Sequence, residues 1–346
     1  MMQGNNTLGF QLVANMERMT QDRIGASALK NAKYNDRFLD IGESLSALRN
    51  EKVGDGDSAI IIAAGPSIKR KDPISEIKER GYSGAIVATE SALLYCLRND
   101  VIPDLVVTLD PHATRIVRWF GDPSLNQKKL DADDYYRRQD MDPAFANELQ
   151  ANQEILGLLN DHGHKIRIAL STSASKAVVQ RVIEANMQIY WWNPMLDNPD
   201  LENSDTRRLQ DLNGLPCVNA GGNVGSACWM MASAVLNKSA VGLTGMDFSY
   251  YSETPYRNTQ YYHDAVNLVG LENLSSVYIN IENPYISENF YTDPAYMWYR
   301  EAFLEMAADA AETCSTSNCT EGGILFGDPI EFITLRKYLD RHIADD

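Results

Sequence analysis

Cysteine is scarce and carries no ligand spacing: the five in the chain, Cys96, Cys217, Cys228, Cys314 and Cys319, form no CxxC pair. That count and scatter exclude a disulfide framework and a sequence-readable zinc site. Cys314 and Cys319 lie closest together and read as two reduced thiols near a strand. Long apolar runs are also missing, since no stretch approaches the roughly 18 residues of a membrane span. The opening MMQGNNTLGFQLVANMERMT lacks the basic start and continuous apolar run of a signal peptide. Positive charge is in short supply, 31 Lys and Arg against 47 Asp and Glu for a net −16. Nonspecific attraction to a nucleic-acid backbone or an anionic lipid surface is therefore excluded. Solenoid repeats and low-complexity tracts are absent. The expectation is a cytoplasmic protein in which any phosphate is bound locally.

What is present suits a large globular fold. The chain has 346 residues, 44% hydrophobic and 23% charged, an ordinary balance for a packed core. Residues 1–53 are polar and helix-compatible, with Phe38, Leu39, Ile41, Leu45 and Leu48 at roughly helical spacing, and read as a helical lead-in. Gly54-Asp55-Gly56-Asp57 breaks that pattern, and residues 54–346 read as one core. Short apolar runs follow at Ala59 to Ala64, Ala85 to Ala88 and Leu105 to Leu109, with helical segments Ile74 to Arg80 and Glu90 to Asn99 between them. Such alternation is the βαβ signature of a buried parallel sheet. From Gly121 to about His164 it lapses into a polar insertion that contains Asp131 to Arg138 and ends in a helix, Ala144 to Asn160.

The alternation then resumes. Strands are predicted at Ile166 to Leu170, Gln188 to Trp192 and Ala240 to Thr244, and helices at Ala174 to Asn186 and Val224 to Leu236. The tail adds a helix from Ala295 to Thr313, a turn at Glu321-Gly322-Gly323 and a last helix from Ile330 to His342. The fold class is α/β: a Rossmann-like, open, mostly parallel sheet with helices on both faces, a helical lead-in and C-terminal helices.

Ligands of open parallel sheets sit beyond the carboxyl ends of strands, so the residues there carry most weight. Gly65-Pro66-Ser67 ends the first strand. Gly65 permits close approach to the backbone, Pro66 suits a first helical turn, and Ser67 adds a hydroxyl beside N–H groups that favour an anion. An ordinary strand-to-helix connection is the alternative. Thr89-Glu90-Ser91 opens the next helix, as a ligand contact or a simple cap. Asp110 and His112 follow the third strand, where a carboxylate suits a ribose, a metal or an amine and an imidazole suits a proton or a phosphate. A solvent-facing Asp-Pro turn is the competing explanation.

Gly221, Gly222, Asn223, Gly225 and Ser226 gather at another helix start, either to admit a nucleotide or to allow close packing. Gly245 and Asp247 follow the apolar strand ending at Thr244, where Asp247 suits a ribose or base contact. The stretch 249–263 holds five tyrosines with Arg257 and His263. It reads as a loop closing over a base or sugar, or as a packing surface or subunit contact in a homo-oligomer.

In order, Ile61 to Ser67, Ile102-Pro103-Asp104 leading to Leu109-Asp110, and Gly221 to Val224 resemble the motility accessory factor family of flagellin glycosyltransferases, whose domain family includes archaeal 6-hydroxymethylpterin diphosphokinases. Gly245 to Phe248, Thr320 to Gly323 and the lead-in Leu29 to Ala32 fit the same pattern. The resemblance covers roughly Leu29 to Gly327. The Gly-Pro-Ser turn and Gly-x-Asp-Phe segment are also similar to bacterial sialyltransferases that use a CMP-linked nonulosonic acid, although those carry Asn where this chain has Ala64. The resemblance implies that Gly65, Pro66 and Ser67 approach the donor phosphate or ribose and that Glu90 and Ser91 line the same crevice. It also implies that Gly221 to Ser226 embrace the nucleotide with Gly245 and Asp247 nearby, and that His263 is the general base.

Three functions compete at this stage. The leading one is transfer of a nonulosonic sugar from a CMP-linked donor to a hydroxyl of a protein or glycan acceptor, with no required cofactor and with His263 and Asp110 as catalytic residues. The second is an ATP-dependent pterin diphosphokinase in which Asp110 and Asp247 hold Mg²⁺. The third is a non-catalytic nucleotide-binding or interaction module.

Overall fold

The computed structural model describes residues 7–133 and 147–343. Among them, thirteen short strands build two sheets: β1 (Glu43–Ser44), β2 (Ser58–Ile62), β3 (Ala85–Thr89), β4 (Leu105–Thr108), β5 (Arg167–Ser171), β6 (Gln188–Pro194), β7 (Cys217–Val218), β8 (Ala240–Thr244), β9 (Tyr250–Tyr251), β10 (Ile279–Asn283), β11 (Glu288–Thr292), β12 (Ser315–Asn318) and β13 (Glu331–Phe332). Ten of them form one sheet in the order β1-β6-β5-β4-β3-β2-β8-β12-β13, with β7 also paired to β6. Every pairing in that sheet is parallel.

The apolar runs form the centre because both faces of the sheet are covered. Along β2, Ala59 and Ile61 join the cluster containing Trp229 and Met231, while Ile60 and Ile62 join Ile74, Ile77, Tyr338 and Leu339 on the other face. A continuous apolar run is what a strand buried on both faces requires. Helices Pro73–Glu79 and Leu335–His342 thus cover one side, and helix Val224–Met230 the other. The chain is a Rossmann-like α/β protein.

The structure departs from the sequence reading in several places. Helix Val224–Met230 gives way to a π-helical turn at Met231–Val235 where one helix was expected. Strand β12 was not read from sequence because its residues, Ser-Thr-Ser-Asn, are polar; Thr316, Ser317 and Asn318 are nevertheless buried between β8 and β13. The last expected helix starts only at Leu335, where the Thr334 side chain caps it, and β13 precedes it. An antiparallel sheet, β10-β11-β9, lies in a region where the period-2 signal is too short to register. In the insertion, helices Gln127–Ala132 and Glu148–His162 are present, and the expected segments at 134–138 and 144–146 lie outside the described residues.

The lead-in is helical at Thr7–Val13 and Met16–Asn35, and it also supplies β1, which pairs with β6. Its long helix is tied to the strand ends by two amides. Asn31 Nδ2 donates to the carbonyls of Pro111 and Ser173 at 3.0 and 2.9 Å, and Asn35 Nδ2 donates to those of Thr172 and Ala174, both at 2.7 Å. These bonds satisfy loop carbonyls after β4 and β5 that would otherwise be buried unpaired.

Candidate functional site

Strand order reverses between β2 and β8. From β2 the chain builds outward through β3 to β6, and from β8 it builds the other way through β12. The loops after these two neighbours therefore diverge and leave a crevice, the usual ligand position in an open α/β sheet. Here it is a cleft of about 230 Å³.

The turn after β2 is locked to the turn after β8. Gly65 N donates to Gly245 O at 2.9 Å. A Cβ on Gly65 would lie 2.1 Å from Asp247 Oδ2 and 2.4 Å from Gly245 O, so only glycine fits. Ser67 N donates to Asp247 Oδ1 at 3.2 Å and Ser67 Oγ donates to Oδ2 at 2.7 Å. The anion held by this turn is thus the chain's own carboxylate. Burial pushes the Asp247 carboxyl up to about 7, opposed by the Ser67 bonds and the charge of Arg70. Ser67 is buried and lies behind the cleft, whereas Gly65, Pro66, Gly245 and Asp247 line it.

Glu90 and Ser91 line the adjoining wall. Glu90 opens a short 3-10 turn after β3 and is 4% exposed. Burial pushes its carboxyl up to about 8, reinforced by the charge of Asp110 and opposed by its own backbone N–H. Its enclosed Oε2 has no hydrogen-bond partner among the described residues. Asp110, exposed at the rim and lining the cleft, accepts the N–H of His112 on Oδ1 at 2.7 Å. His112 Nδ1 accepts the N–H groups of Thr114 and Arg115 at 3.3 and 3.2 Å, which folds the loop back on itself.

On the third side, Asn223 caps helix Val224–Met230: its Oδ1 accepts Ser226 N at 2.9 Å and its Nδ2 donates to Ser226 Oγ at 2.8 Å. Gly222, Asn223 and Gly225 line the cleft, while Gly221 and Ser226 do not. The two glycines have φ of +56° and +79°. An added Cβ would meet Met306 Sδ at 2.7 Å from Gly221 and the Trp298 ring at 2.7 Å from Gly222. Close packing against helix Pro294–Asp309 is thus one reason for them.

Aromatic side chains close the cleft. Tyr250, Tyr261, Tyr296 and Tyr299 line it, with Ile116 and Trp119 from the 3-10 turn Ile116–Phe120. The hydroxyls of Tyr261 and Tyr299 lie 3.0 Å apart, Tyr250 and Tyr296 stack at 5.3 Å, and Tyr296 donates to Gln260 Oε1 at 2.6 Å. Sequence reasoning missed Trp119, Tyr296 and Tyr299. The i, i+3 spacing of the last two, which puts both on one helix face, was the available signal. His263 was the expected base. The structure instead places it on the exposed side of helix Tyr262–Val269, outside the cleft lining.

Asp110 and Asp247, the carboxyls of the expected magnesium pair, both line the cleft. Both Asp247 oxygens are engaged by Ser67, and among the described residues no group of three or more His, Cys, Asp or Glu is placed to hold a metal ion. Among the described residues that line the cleft there is no Lys, Arg or His.

Fold and cleft together define a Rossmann-like protein with a ligand crevice at the strand-order reversal. Residues 26–120 match the family model described as 6-hydroxymethylpterin diphosphokinase MptE-like, a segment that carries β2, β3, β4, Gly65, Glu90 and Asp110. Among solved structures, the MAf glycosyltransferase from Magnetospirillum magneticum AMB-1 shares the fold with a TM-score of 0.52 at 13% identity, over 92% of this chain. The chain spans only 39% of the length of that structure. The family match agrees with the motif resemblance over residues 26–120, and the structural likeness shows the fold alone. No curated protein matches the chain significantly. Among the described residues no helix is long and apolar enough to cross a membrane.

The buried carboxyl at Glu90 has a consequence for stability. Its folded pKa lies above the ordinary glutamate value, so the native state binds the proton more tightly than the unfolded chain. Stability is therefore lost as pH rises from 4.5 to about 8. Urea midpoints measured across that range are expected to fall less in Glu90→Gln than in the wild type, and at pH 9 the variant is expected to be the more stable. Parallel curves for the two proteins would mean that Glu90 titrates normally.

Proposed function

We propose that the chain is a glycosyltransferase-like enzyme that binds a nucleotide-activated sugar in this cleft and transfers the sugar to a hydroxyl acceptor. The observation that carries the reading is the cleft's place at the strand-order reversal, with two carboxyls, Glu90 and Asp110, and several aromatic rings in its lining. Carbohydrate and base rings suit such walls, because aromatic faces bury area while the tyrosine hydroxyls still form hydrogen bonds. Within this reading the donor is a CMP-linked nonulosonic sugar. Asp110, exposed at the rim, removes the proton from the acceptor hydroxyl as the donor bond loosens. The backbone at Gly222, Val224 and Gly225 faces the departing phosphate, since the described lining residues include no cation.

A second reading, a 6-hydroxymethylpterin diphosphokinase, is favoured by the family match over residues 26–120. The two separate by ligand. Thermal unfolding of the purified chain is measured against CMP, CDP, UDP, ATP and 6-hydroxymethylpterin, each with and without Mg²⁺. A ligand at a hundred times its Kd adds about 2.7 kcal/mol to the folded state. Stabilisation by CMP without metal is the expected result. Stabilisation only by ATP with Mg²⁺ or by the pterin replaces the transferase with the diphosphokinase, and silence across the panel removes both.

A further inference from the structure

The loop after β4 is built from two side chains that each accept backbone N–H groups further along the chain. Asp110 Oδ1 takes the N–H of His112 at 2.7 Å, and His112 Nδ1 takes those of Thr114 and Arg115 at 3.3 and 3.2 Å. Aspartate and asparagine commonly fold turns through such short-range bonds. A histidine does so in one form only, because a ring nitrogen accepts while it is unprotonated. The geometry therefore fixes His112 as the neutral imidazole with its proton on Nε2.

Both ends of this loop bear on the cleft. Asp110 is exposed at the rim, and Arg115 leads directly into the 3-10 turn Ile116–Phe120, which brings Ile116 and Trp119 to the lining. The far end of that turn is held by Arg181, whose Nε donates to Phe120 O at 3.0 Å, and Arg118 there approaches Glu148 at 3.7 Å. The near end is held by His112 Nδ1. Charged neighbours are Asp110 in the loop itself, Arg115 with its partner Asp133 at 3.0 Å, and Glu90 on the 90–92 turn, which packs on the 116–120 turn. Helix Met16–Asn35 reaches the loop through a neutral side chain, Asn31, which donates to Pro111 O at 3.0 Å.

We propose that His112 is a positioning residue of the cleft: by accepting these two N–H groups as the neutral imidazole, it sets the Asp110 carboxylate at the rim and Ile116 and Trp119 in the lining. Protonation of Nδ1 turns the acceptor into a donor that faces two other donors. The loop is then released in acid, over the range in which histidine ordinarily changes charge. The effect on sugar transfer rests on Asp110 being the base of the reaction proposed above, whereas the shaping of the loop does not.

The test begins with the imidazole nitrogen-15 resonances of the full chain at pH 8, which are expected to show the proton of His112 on Nε2. Protection of the Thr114 and Arg115 amides from solvent exchange is expected to drop at least about threefold between pH 8 and pH 5.5. In His112→Asn, whose side-chain oxygen accepts the same N–H groups and does not titrate, protection is expected to be equal at the two pH values. Release of CMP from a CMP-linked nonulosonic acid at pH 8, with water as acceptor, gives the functional readout. There kcat is expected to fall about tenfold or more in His112→Leu with KM within about threefold, and to return to within about threefold of wild type in His112→Asn. A proton on Nδ1 at pH 8, wild-type amide protection that ignores pH, a His112→Leu protein as fast as wild type, or equal losses in the two variants overturns the assignment. If the wild type releases no CMP, the transferase reading falls, and the tautomer and the amide protection alone decide the role of His112.

Discussion

Asp110→Asn is expected to lower sugar transfer by about 10²–10⁴-fold while leaving the donor Kd within about threefold, because a positioned base acts mainly in the transition state. The residue is exposed at the cleft rim, and one of its oxygens is already oriented by the His112 N–H. Asparagine keeps the size and that hydrogen bond but takes no proton. His263→Ala supplies the contrast: its side chain is on the exposed side of its helix and outside the cleft, so transfer is expected to stay near the wild-type rate. Initial rates with saturating donor and acceptor decide the matter. A large loss in His263→Ala with little change in Asp110→Asn would reverse the two assignments.

Gly65→Ala is expected to cost about 3 kcal/mol, at the upper end for overpacking. The added methyl group meets the Gly245 carbonyl, which is backbone, and the Asp247 carboxylate, which Ser67 holds from two sides. Neither side gives way cheaply. Gly157→Ala is the matched control, since an added Cβ there meets nothing within 4 Å on the exposed side of helix Glu148–His162. That change is expected to stabilise the chain by about 0.5–1 kcal/mol, the difference in helix preference. Urea denaturation of the two variants gives both values, and a Gly65→Ala protein as stable as wild type would mean that the turn after β2 opens without penalty.

The central sheet was legible because strands buried on both faces must be apolar, and short runs such as Ala59 to Ala64 or Ala85 to Ala88, set between helical segments, suit nothing else. The polar β12 escaped for the same reason in reverse: its burial comes from neighbours that sequence cannot place. Much of the cleft lining was also legible, since residues after strands converge wherever strand order reverses. Gly65, Pro66, Glu90, Ser91, Asp110, Gly222, Asn223, Gly225, Gly245 and Asp247 all line it. What the pattern did not reveal was direction. Ser67 faces Asp247 rather than the cleft, and His263 faces outward on a helix whose register was unreadable among so many tyrosines. Trp119 escaped because the short 3-10 turn that carries it, Ile116–Phe120, has the spacing of neither a helix nor a strand.

Strand β1 comes from the lead-in yet lies along β6, pairing Glu43 with Tyr190 and Ser44 with Trp191. Two residues are a small addition to a ten-stranded sheet. Their importance is protective. A chain shortened to residue 54 would present the backbone donors and acceptors of that part of β6 to solvent, flanked by the large apolar side chains of Tyr190 and Trp191. Such an edge is a template on which another molecule adds its own strand. The lead-in therefore keeps the sheet from growing between molecules.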